Sequence, residues 1–134
     1  LGGTGAANKL DDYESGTWTG TLAGETTAGA SPTASGTYVK VGAVVSLSIK
    51  FVNVDITGAA GRLNITGLPF ACSHEAVTGS LWNNRLPVGT AYRGFLAAGA
   101  TTVKSFDGDG ASVNFESSGA GNYSGFALTY RTNA

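Results

Sequence analysis

Apolar and polar residues alternate along most of this chain. The clearest case is Val44-Val45-Ser46-Leu47-Ser48-Ile49-Lys50-Phe51. Successive side chains of a strand leave opposite faces, so Val45, Leu47, Ile49 and Phe51 share one side and Ser46, Ser48 and Lys50 the other. That pattern predicts a half-buried antiparallel strand. A second such strand is predicted over 123–130, with Phe126, Leu128 and Tyr130 pointing one way and Gly125, Ala127 and Thr129 the other. Weaker runs predict strands over 17–22, 36–41, 62–66, 77–82, 92–97, 101–106 and 111–115. The punctuation between them is glycine-based. Gly42-Ala43 reads as a hairpin turn, as does Asp107-Gly108-Asp109-Gly110, where the Asp-Gly pairs tolerate positive φ.

No helical period lasts beyond two turns. Residues 6–14 form either one short helix, with Leu10 and Tyr13 on one side, or an extended arm. Many short strands with regular turn signals make a sandwich or a barrel. The expected fold is therefore all-β: an antiparallel β-sandwich, jelly-roll-like. No internal repeat points to a propeller or a β-helix.

The composition narrows the functional classes. A chain of 134 residues predicts one domain with a core of its own. Only 13% of residues are charged and the net charge is −1, against about 25% charged residues in ordinary domains. Neither a nucleic-acid partner nor an anionic membrane surface is expected, because both need a basic face. A surface rich in Gly, Ser, Thr and Asn suits an assembled extracellular structure better than a free monomer kept soluble by charge. Cys72 is the single cysteine, so no internal disulfide forms. No apolar run approaches the roughly 18 residues that cross a bilayer, and no signal segment is visible. The chain has no Met and begins at Leu1, which predicts a piece of a longer or processed protein. Residues 1–15 then read as a linker or arm, and 16–134 as the domain itself.

Charge, aromatics and turn residues are packed most densely near the start, in Leu10-Asp11-Asp12-Tyr13-Glu14-Ser15-Gly16-Thr17-Trp18-Thr19. This reads as a polar arm entering a β domain. Further on come Gly36-Thr37-Tyr38-Val39-Lys40-Val41-Gly42 and Gly67-Leu68-Pro69-Phe70. Taken as a set, these motifs resemble the C-terminal domains of tail fibre and tailspike proteins of tailed bacteriophages. They cover about the first half of the chain. The resemblance implies a β-sandwich assembled as a homotrimer around a fibre axis and joined to an upstream shaft. It also implies a place on the virion, in the extracellular phage tail, and a role in host attachment.

Several constellations carry candidate chemistry. Cys72 and the only His, His74, stand two apart, which puts both side chains on one face of a strand. A third orienting group is not at hand, and the expectation is a semi-buried thiol beside a loop histidine. Asp107 and Asp109 resemble a calcium loop superficially, without the Glu that closes such a loop. Asp11, Asp12 and Glu14 are expected to be solvated or paired with Lys9, Arg62 or another chain. The sequons at Asn64 and Asn122 are of a kind that chance supplies in a Ser/Thr-rich chain.

Binding chemistry is more promising. Trp82-Asn83-Asn84-Arg85 places an indole beside two amides and a guanidinium, and Tyr92 begins the next strand. An aromatic plane covers the apolar face of a sugar ring, while Asn, Asp and Arg satisfy its hydroxyls. Trp82, Asn83, Asn84, Arg85, Tyr92, Asp107 and Asp109 are therefore the candidate ligand-binding residues. The expected function is a receptor-binding adhesin for host surface polysaccharide, with no enzymatic activity, no metal and no cofactor. A purely structural trimerisation or capping module, or a capsid decoration, is the alternative. A carbohydrate-active enzyme module is a further one.

Overall fold

The structure is a computed structural model, and it describes residues 13–77, 81–84, 92–106 and 119–133. These residues form β1 (Tyr13–Gly24), β2 (Thr33–Val41), β3 (Val44–Val54), β4 (Leu63–Thr66), β5 (Ala76–Val77), β6 (Leu81–Asn83), β7 (Arg93–Leu96), β8 (Thr102–Phe106) and β9 (Asn122–Arg131). Every pairing is antiparallel. The all-β expectation holds among the described residues. Tyr13 and Glu14, assigned above to a short helix or an arm, already belong to β1; residues 6–12 of that segment lie outside the described residues. The strand expected over 111–115 and the turn at Asp107–Gly110 lie outside them too.

The strands share one sheet in the order β5-β7-β8-β4-β1-β2-β3-β9-β6. Two separate facing sheets were expected; one sheet curls instead into a nearly closed barrel, and its opposite walls supply both layers. Chain connectivity forces the curl. β5 lies on one edge, against β7, and β6 on the other, against β9. Laid flat, nine strands at about 4.8 Å spacing would hold those edges nearly 40 Å apart. Only four peptide steps separate Val77 from Leu81, a reach of about 14 Å. The edges must therefore meet, and Leu81 N–H donates to the Tyr92 carbonyl at 3.0 Å, just ahead of β7. At the other end of the barrel, Cys72 bridges Thr132, its N–H donates to Ala100 O at 3.0 Å, and Ser73 N–H reaches Arg131 O at 2.7 Å.

Alternation fills the interior as predicted. Val45, Leu47, Ile49 and Phe51 of β3 are buried, as are Phe126, Leu128 and Tyr130 of β9. They meet Trp18, Leu22, Leu63, Ile65, Leu81, Leu96 and Val103 in a single cluster. The β2–β3 hairpin turns at Gly42, whose φ of 55° is one that L side chains disfavour. A bulge between Phe51 and Val54, with Asn53 at φ 52°, ends regular pairing of β3 with β9.

The two ends of the barrel differ. At the end reached by Gly24, Val54 and Asn122, the β1–β2 and β3–β4 loops zip together. Thr26 N–H donates to Ala60 O, Ala60 N–H to Thr27 O and Ala30 N–H to Thr57 O, each at 3.0 Å. Ile56 and Ala59 are buried beneath them. Glu25 is bound there by Lys104 at 2.7 Å and Arg62 at 3.5 Å. The opposite end carries Tyr13, the β2–β3 turn and Phe70. Tyr38 stacks edge-on against Phe70 at 5.4 Å and donates to Glu14 Oε1 at 2.6 Å, and Lys40 lies over the Phe70 ring.

Candidate functional site

β6 is three residues long, and its alternation decides the site. Leu81 and Asn83 face the interior and Trp82 faces out. Trp82 is 52% exposed although it sits in a sheet, which is unusual for the largest apolar side chain. Tyr123 of β9, on the same outer face, approaches it with ring centroids 6.3 Å apart and planes tilted by 57°. Gly125 stands opposite Trp82 in the β6–β9 register, so the position directly across from the indole carries no side chain.

Asn84 holds this corner together. Its Oδ1 accepts from Tyr123 N–H at 2.8 Å, its Nδ2 donates to Gly121 O at 3.1 Å, and its own N–H donates to Tyr123 O at 3.1 Å. Three bonds from one residue fix the end of β6 against the start of β9. Asn84 therefore positions the two rings, and its amide is already engaged.

Asn83 turns inward. It is only 8% exposed, and Nδ2 donates to Asn122 Oδ1 at 3.2 Å. Beside this pair, Ser124 Oγ and Asn122 Nδ2 are buried without a hydrogen-bond partner among the described residues. Tyr92 is half-buried and packs on the core cluster. Of the candidate ligand-binding residues, then, Trp82 presents its side chain to solvent, Asn84 braces it, and Asn83 and Tyr92 belong to the interior and its margin. Arg85, Asp107 and Asp109 lie outside the described residues. Tyr123 is a site residue that the sequence reading does not single out, although an aromatic in the outward phase of β9, on the same face as Gly125, Ala127 and Thr129, is a signal the sequence holds.

The Cys72 thiol is buried and donates to the main-chain carbonyl of His74, while His74 Nδ1 lies 2.9 Å from Ser73 Oγ. The thiol and the imidazole therefore have separate partners. Among the described residues no group of three His, Cys, Asp or Glu is placed to hold a metal. Glu14 is bound by the Tyr38 hydroxyl, which is pushed above its ordinary pKa by that hydrogen bond. Asn122 of the second sequon is fully buried in the folded domain.

Chemically, the Trp82–Tyr123 corner offers two tilted aromatic faces at the surface, on a rigid hydrogen-bonded frame. Such faces stack on apolar C–H surfaces and add little ordering entropy when they bind, because each ring has only two side-chain torsions. No protein-family model, curated protein or solved structure matches the chain.

Proposed function

We propose that this chain is the distal, receptor-binding domain of a trimeric phage tail fibre, and that it recognises host surface polysaccharide through Trp82 and Tyr123. The observation that carries the reading is the exposed Trp82–Tyr123 pair, held on a sheet by the Asn84 clamp. The motif resemblance in the first half of the chain points the same way.

A further feature supports self-assembly. Tyr13, Val41 and Val44 stand side by side across β1, β2 and β3, and Val39 follows two residues along β2. All four are exposed. A contiguous exposed apolar row marks a contact surface more than scattered apolar residues do. It lies at the end of the barrel where β1 begins, opposite the end that carries Trp82. Copies gathered at that end would leave the aromatic corner of each one free, and three weak sites on one fibre bind with avidity.

The structural-cap alternative draws on Asn83 and Asn84, whose amides serve the fold. One experiment separates the two readings. Trp82→Ala and Tyr123→Ala, in the intact fibre, abolish attachment to host cells and binding to extracted surface polysaccharide if the domain is an adhesin. Unchanged attachment, with circular dichroism confirming the fold, would leave the capping role.

A further inference from the structure

Lys50, Gly125 and Trp82 occupy one transverse row of the sheet. Lys50 pairs with Gly125 across β3–β9, and Gly125 pairs with Trp82 across β9–β6. Lys50 and Trp82 are exposed, while their strand neighbours Ile49, Phe51, Leu81 and Asn83 are buried, so the row lies on the outer face. Two strand spacings put Lys50 about 10 Å from Trp82. The position between them carries no side chain.

That gap is built into the backbone. A Cβ on Gly125 would lie 2.8 Å from the Ile49 carbonyl oxygen, closer than real contacts allow, so the approach of β3 to β9 excludes any side chain there. The result is a shallow trough. Trp82 on β6 forms one wall, Lys50 on β3 the other, Gly125 on β9 is the floor between them, and Tyr123, two residues along β9, closes one end beside the indole. The Lys50 side chain makes no ion pair or hydrogen bond among the described residues. Among the described residues its ammonium is an unpaired point charge at the rim of an aromatic surface, in a chain whose formal net charge is −1.

We infer that this trough binds an anionic saccharide: a sugar ring faced on Trp82 and Tyr123, with a carboxylate or phosphate substituent held by Lys50. The inference rests on the glycan-binding reading above and narrows it to a ligand class. A neutral sugar would satisfy the indole and leave the lysine unused. A small anion without a ring would find one exposed charge and no apolar surface. Only a ligand with both groups spans the row. An exposed ion pair adds affinity modestly and is screened by salt, so the acidic group tunes selectivity while stacking supplies most of the binding.

The test is a titration of the whole chain, followed by tryptophan fluorescence and calorimetry. The probes are uronate-containing and sugar-phosphate-containing oligosaccharides, each compared with its carboxyl-reduced or dephosphorylated counterpart. At least one acidic form should bind roughly fivefold tighter than its neutral partner at low salt, and the advantage should shrink as salt rises. Which of the two does so identifies the anionic group. Lys50→Met should erase the difference and keep the residual affinity, and Trp82→Ala should remove both. Equal affinity for the acidic and neutral forms would overturn the anionic class and leave the glycan reading standing. A wild-type chain that binds none of the probes would overturn both.

Discussion

Trp82 and Asn83 are sequence neighbours with opposite fates: the indole stands in solvent, and the adjacent amide is buried and donates to Asn122 Oδ1 at 3.2 Å. Substituting each should therefore separate function from stability. Trp82→Ala removes a half-exposed ring and should leave stability within about 0.5 kcal/mol, the usual range for surface changes. Asn83→Ala leaves Asn122 with its amide unpaired in the interior and should cost about 1–3 kcal/mol. Urea unfolding midpoints of the two variants check this. Equal midpoints would mean that the buried amide pair contributes nothing.

The same neighbours show how far periodicity carries. The phases of β3 and β9 were legible because uninterrupted alternation of Val, Leu, Ile and Phe with Ser, Thr and Lys leaves one arrangement possible. β1 was harder to read. It begins at Tyr13 rather than at Thr17, and Glu14 occupies an inward phase, which is tolerated at the barrel rim because Tyr38 donates to its carboxylate. The run 77–82 reads as one strand; its residues 78–80 lie outside the described residues, and on either side of them β5 pairs with β7 and β6 with β9, while periodicity says nothing about which neighbour a strand meets. Asn83 read as a loop residue, since a polar residue signals the interior only when its partner is known. That partner lies 39 positions away.

Room for the Trp18 indole comes from two glycines. Gly36 faces Trp18 across β1–β2, and Gly20 follows it two residues along β1. A Cβ on Gly36 would lie 2.5 Å from both Trp18 Nε1 and the Ser48 carbonyl oxygen. On Gly20 it would meet mainly the terminal methyl of Ile49, which can move. Gly36→Ala should thus destabilise by about 1–3 kcal/mol through overpacking, and Gly20→Ala by clearly less. Thermal unfolding ranks the pair, and Trp18 emission should shift in the Gly36 variant.

Self-association through the Tyr13–Val41–Val44 row predicts that one charge will break it. Val44 is 43% exposed, so Val44→Glu places its carboxylate in water in the isolated chain and disturbs no core contact. In an assembly, three such charges would converge on an apolar contact, and like charges desolvated together are strongly unfavourable. Light scattering should show the trimer mass of the wild type falling to that of a single chain, with the melting curve of the fold retained. A wild type that is monomeric at high concentration would end the trimer proposal. A trimeric Val44→Glu would move the contact to another face.

Tyr130 sets the alkaline limit. Its hydroxyl donates to the Phe70 carbonyl at 2.8 Å, and burial pushes the phenol up to about 12. An unfolded tyrosine titrates near 10. Below pH 10 both states hold the proton and the contribution of Tyr130 is fully present. Between about pH 10 and 12 the unfolded chain releases its proton while the folded one keeps it, so stability falls as pH rises. Tyr38 acts with the same sign, its phenol raised by the hydrogen bond to Glu14. Tyr130→Phe should lose about 1 kcal/mol at pH 8, from the bond to Phe70. It should then decline less steeply than the wild type above pH 10. Denaturant midpoints measured for both proteins from pH 8 to 12 decide it. Parallel curves would mean that the phenol of Tyr130 ionises in the folded barrel as readily as in the unfolded chain.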